Sequence, residues 1–72
     1  MTLTEAVALI LAEYRKAREK HSPMKSAHEG YAVLLEEVDE MWDAIKSDDL
    51  ESARKEAVQV GAMALAFLIE VE

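Results

Sequence analysis

Apolar residues recur along this chain with the period of an α-helix in three successive stretches, each opened by a capping signal. Thr2-Leu3-Thr4-Glu5 has capping-box spacing. After it, Leu3, Val7, Ile10, Leu11, Tyr14 and Ala17 fall on one stripe and predict helix 1 over roughly 3–20. The polar run His21 to Ser26 holds the single proline, Pro23, which has no amide hydrogen to donate and ends the helical pattern. Ser26-Ala27-His28-Glu29 repeats the capping-box spacing, with Glu29 as the reciprocal cap. Tyr31, Leu34, Leu35, Val38, Met41, Trp42 and Ile45 then predict helix 2 over roughly 27–46, with Tyr31 and Trp42 in the core. Lys46-Ser47-Asp48-Asp49 is short and rich in N-cap residues, so a third helix starts near Leu50, antiparallel to the second, and runs to the end. No strand is predicted, because the β-branched residues sit inside helical periods.

Helix 3 differs from the others. From Ala57 onward it is apolar all round, with Gln59 and Glu70 the only strongly polar side chains before the last residue. Such a helix must be covered on all sides. Two amphipathic partners cover two of its faces, so the rest of its surface needs another subunit or lies exposed as an association patch, and Gly61, Ala62, Ala64 and Ala66 admit close helix approach. The expected fold is therefore all-α: an antiparallel bundle of three main helices in a single domain, 1–72, completed by homo-oligomerisation to a dimer or tetramer.

Composition narrows the classes of function. Seventy-two residues are too few for a second domain, and the 51% apolar content is too high for a disordered chain. No cysteine means no disulfide and no thiolate site. Eight Lys and Arg against fifteen Asp and Glu give a net charge of −7, which disfavours nucleic acid as partner and favours divalent cations or basic surfaces. The longest apolar run, Val60–Ile69, is ten residues, too short for a bilayer, and the N-terminus lacks a signal peptide's positive region. The expected location is cytoplasmic, with no membrane partner.

The candidate chemistry lies on helix 2. At about 100° per residue Glu36 and Glu40 lie within about 40° of each other, with Glu37 about 60° to the other side of Glu40. No Lys or Arg four residues on relieves the repulsion among them. An acidic run of this kind reads either as a solvated face or as a site for Mg²⁺ or Mn²⁺, which choose carboxylate oxygens. Glu56 and Gln59 lie one turn apart on helix 3, and the short connection sets them level with Glu36, Glu37 and Glu40. Four carboxylates and an amide are thus expected to converge. The competing reading of Glu56 is an exposed residue paired with a lysine.

Glu36-Glu37-Val38-Asp39-Glu40 followed by Glu56-Ala57-Val58-Gln59 resembles the EExxE and ExxD signature of the all-α NTP pyrophosphohydrolases, the MazG-like family. The likeness spans roughly residues 10–70. It implies Mg²⁺-dependent cleavage of a nucleoside or deoxynucleoside triphosphate to the monophosphate and pyrophosphate, by water attacking the α-phosphorus. It further implies Glu37, Glu40, Glu56 and Gln59 as metal-binding residues, and Glu36 as a ligand or as the base that orients water. Gln59 departs from the pattern, which has Asp there; an amide oxygen still ligates but brings no charge. Lys25, His28 and Lys55 are the candidate substrate-binding residues, though each also reads as a surface charge or first-turn residue. The chain is shorter than typical members, so any substrate contacts made by a further helix are expected to come from another subunit or to be absent. The alternative function is a catalytically weak module of the same fold that holds a nucleotide or a protein, a reading that Gln59 favours. A third is a structural oligomer or an acidic decoy for a basic protein, motivated by the net charge.

Overall fold

Each helix begins where a side chain can satisfy its free N-terminal amides. In the computed structural model, which describes residues 1–72, α1 spans Leu3–Lys20, α2 spans Ala27–Lys46 and α3 spans Leu50–Glu70, with no strand. Thr2 caps α1 with a complete capping box, its Oγ1 accepting from the Glu5 amide while Glu5 accepts from the Thr2 amide. Ser26 caps α2 by accepting from the Glu29 amide at 3.1 Å. The expected reciprocal bond from Glu29 is not made, because that side chain turns instead to line a cleft.

The connection between α2 and α3 fixes their register. The amides of Asp48 and Asp49 donate back to the carbonyls of Ile45 and Ala44, the paired bonds of a Schellman turn, with Asp48 in the left-handed region at φ 58°. Asp49 then caps α3 by accepting from the Ser52 amide at 3.0 Å. With no slack between one helix end and the next start, α2 and α3 run antiparallel, Gly30 facing Phe67 at one end. Ile10 meets Gly61 and Arg18 meets Glu70, so α1 runs parallel to α3.

The central element is α3. Both α1 and α2 pack on it and not on one another, giving a slab of 35 × 26 × 19 Å. The core is correspondingly thin: Ala53, Ala62 and Ala66 of α3, Gly30 of α2 and Met24 of the α1–α2 connection are buried, and no large side chain is fully enclosed. The far end of α3 leaves Leu68 and Ile69 exposed, as expected of a helix that the two others cover on only part of its surface. Two expectations are corrected here. Tyr31 and Trp42, expected in the core, are also exposed. On α1 only Ile10, Tyr14 and Ala17 of the stripe turn inward, leaving Leu3, Val7 and Leu11 outside. The apolar stripes are wider than the contact each helix makes on α3.

Two glycines mark the closest approaches. A methyl at Gly30 would meet the Phe67 ring at 2.6 Å and the Met24 sulfur at 3.2 Å. Gly30→Ala is therefore expected to lose about 1–3 kcal/mol to overpacking, less at most about 1 kcal/mol regained in helix propensity. At Gly61 the obstacle is the Ile10 side-chain end at 2.8 Å, which can rotate away, and Gly61→Ala is expected to be close to neutral. Denaturant midpoints of the two variants check this; equal losses would mean that the Phe67 contact does not set the α2–α3 distance.

Candidate functional site

The Schellman turn that fixes the hairpin register also brings the acidic residues of its two helices together. Glu37 and Glu40, one turn apart on α2, and Glu56 on α3 each place a carboxylate oxygen within 4.8 Å of the others. Glu37 and Glu56 are half-buried and Glu40 is exposed. Glu56 Oε2 is buried without a hydrogen-bond partner. Glu56 makes no ion pair with a lysine, in contrast to its exposed-residue reading; the nearby Lys55 pairs with Glu51 at 3.5 Å.

The group resists full ionisation. Burial pushes the Glu37 carboxyl up to about 7, helped by a hydrogen bond shared with Glu56 and by the charges of Glu40 and Glu56. Near neutrality Glu37 thus holds a proton about half the time, and the proton bridges groups that would otherwise repel. Once that proton is lost, the three carboxylates offer only acceptor oxygens, the buried Glu56 Oε2 among them, which is the ligand chemistry of a hard divalent cation site.

The convergence is smaller than expected. Glu36 stands outside the three-carboxylate group, exposed on the wall of an adjoining cleft whose lining Gln59 shares with Glu37. The cleft, about 620 Å³, opens between α1 and α2, which leave α3 uncovered between them. Its α2 wall carries Glu29, Val33, Glu36 and Glu37, its floor Gln59, Met63, Ala66 and Glu70 of α3, and its α1 wall Glu13, Lys16, Ala17, Arg18 and Lys20. One wall is acidic where the carboxylate group adjoins it through Glu37. The other carries most of the cleft's cations.

Lys25 and His28 are exposed and do not line this cleft; Lys55 lines a smaller depression between α1 and α3. The basic side chains that face the cleft are Lys16, Arg18, Lys20 and His21, none of which the sequence pattern had singled out. Lys16 and Lys20 are four apart, with Glu13 on the same face, so helical spacing offered a signal for them. Arg18 is committed elsewhere. Its Nε pairs with Glu70 Oε2 at 2.9 Å, and it donates to the His21 carbonyl at 3.0 Å. Glu70 also accepts from the Met24 amide at 2.9 Å and from the Tyr14 hydroxyl at 3.4 Å, so one carboxylate clasps α1, the connection and α3. Lys20 has no ion-pair partner, and Lys16 reaches Glu13 only at 3.8 Å. No helix of the chain is long and apolar enough to cross a membrane.

Comparison with protein-family models, with curated proteins and with solved structures returned no match to this chain.

Proposed function

We propose that this chain is a MazG-like nucleotide pyrophosphohydrolase, dependent on Mg²⁺ or Mn²⁺, that works in the cytoplasm as a homo-oligomer. The observation that carries the reading is the carboxylate group of Glu37, Glu40 and Glu56 beside a cleft whose opposite wall bears Lys16 and Lys20. A nucleoside or deoxynucleoside triphosphate has the matching chemistry, since its polyphosphate needs both a divalent cation and basic side chains.

The residues fit a divalent ion on two grounds. Glu56 Oε2 lacks a partner, and Glu37 retains a proton that an ion would displace. Glu37, Glu40 and Glu56 would hold it, with the Gln59 amide oxygen within the adjoining cleft. When bound, the ion supplies charge neutralisation and polarisation at the phosphoryl group. In the reaction a water oxygen bonds to the α-phosphorus and the bond from that phosphorus to the bridging oxygen breaks, releasing the monophosphate and pyrophosphate. Glu36, exposed on the cleft wall, takes the proton from the attacking water. Lys16 and Lys20 hold phosphate oxygens, while Val33 and Met63 offer apolar surface to the base.

A second reading, a module that binds a nucleotide or a protein without turnover, draws on Gln59. One charge fewer beside the ion weakens its hold. Pyrophosphate release from a panel of ribo- and deoxynucleoside triphosphates, with Mg²⁺, Mn²⁺ or EDTA, separates the two. Release that requires metal and is lost in Glu37→Ala is the expected result. A folded protein that binds nucleotide and releases nothing would overturn the enzyme reading in favour of the module.

A further inference from the structure

We infer that the outer face of α2 is the surface through which two copies of this chain pair. This deepens the oligomeric part of the proposal above and is independent of its chemistry. Tyr31, Leu35, Val38, Trp42 and Ile45 follow one another at spacings of four, three, four and three, the heptad repeat of a helix that meets another helix along a seam. All five are between 39% and 63% exposed. By helical geometry the seam is centred about 110° around α2 from the line of Gly30, Glu37 and Ala44. Gly30 is the position that meets Phe67 of α3, so α2 has two apolar faces and the chain covers one.

Area points to a second copy as the occupant. A compact monomer of this mass exposes about 4,450 Å². This chain of 8.0 kDa exposes 5308 Å². The excess over the whole chain, about 850 Å², is of the size of the roughly 800 Å² that each partner buries in a standard interface, and the five seam residues contribute to it. Charge does not oppose the pairing at the seam itself: Glu29, Glu36, Glu40 and Asp43 lie on the remaining arc of α2, and Asp39 is the one acidic residue at the seam's border. Pairing α2 with α2 across a two-fold axis is isologous and closes after two copies. It also encloses Trp42, an aromatic anchor of the kind that dominates interfaces.

Sedimentation equilibrium tests the pairing in the intact chain. Wild type is expected at twice its 8.0 kDa mass or a multiple of that, and Val38→Glu at half the wild-type value with helical circular dichroism retained. A wild-type monomer at all concentrations would assign the seam to a foreign partner and overturn the inference. So would a Val38→Glu protein of unchanged mass, which would leave the oligomer standing but on another face. If Val38→Glu unfolds, cysteine cross-linking decides, since the chain has no cysteine of its own. With a short bis-maleimide, Val38→Cys is expected to give covalent dimers, and Arg15→Cys on α1 is not; absence of Val38→Cys dimers counts against the seam.

Discussion

Without metal, Glu37→Gln is expected to melt at a higher temperature than wild type at pH 8, and to have lost the response to Mg²⁺. The folded protein keeps the Glu37 proton up to about pH 7, whereas an unfolded chain releases it near 4.5, the ordinary value for this carboxyl. Between those values the folded state binds more protons than the unfolded one, so metal-free stability falls as pH rises through this window and levels off above it. An amide has no proton to lose, and the variant's melting temperature should be flat over the same range. Mg²⁺ reverses the wild-type penalty by replacing the proton. At a free concentration one hundred times its dissociation constant it adds about 2.7 kcal/mol, roughly 10–20 °C for a domain of this size. Calorimetric titration near pH 7 in buffers of different ionisation enthalpy should show release of about half a proton per ion bound. A wild-type melting temperature indifferent to pH and to Mg²⁺ would remove the carboxylate group from any metal role.

The largest loss of stability is expected from Glu70→Ala. Its side chain is 7% exposed and holds Arg18, the Met24 amide and the Tyr14 hydroxyl. Removing it leaves the buried Arg18 Nε and the Met24 amide without an acceptor, although the other arm of Arg18 keeps the His21 carbonyl, and a change of this kind costs about 3–5 kcal/mol where an ion pair is buried. Against a total stability of about 5–15 kcal/mol, that is a large fraction. Glu70→Gln keeps one acceptor oxygen for the Met24 amide, while its amide nitrogen can donate to the Tyr14 hydroxyl but not accept from Arg18, and it should lose less than Glu70→Ala. Denaturant unfolding in EDTA measures both without interference from metal. A loss under about 1 kcal/mol in Glu70→Ala would show that α1 is held by its Ile10 contact alone.

The helices were legible to within a residue or two because their ends are written locally. Thr2, Ser26 and Asp49 cap them, and Pro23 and the Ser47-Asp48 turn separate them. The meeting of Glu37 and Glu40 with Glu56 was legible too, since a tight turn lets equal distances be counted back along two helices. What periodicity could not supply was the choice between the two apolar faces of α2. Its stripe is broad enough to serve α3 on one side and the seam on the other, so Tyr31 and Trp42 were assigned inward when they point outward. Glu36 shares an acidic arc with Glu40, but the α2–α3 contact turns Glu37 inward and leaves Glu36 on the cleft wall. The clasp at Glu70 and the cations of α1 depend on how α1 crosses α3, a relation between residues more than forty apart that no local spacing encodes.

Because α1 and α2 never pack together, the carboxylate group belongs to the α2–α3 hairpin alone. Its members are contacts of short sequence separation, and short loops close first. The acidic centre is therefore expected to assemble before α1 docks to complete the cleft, and its repulsion then burdens a hairpin that α1 does not yet support. A proton or a cation taken up at that stage would speed folding rather than only slow unfolding.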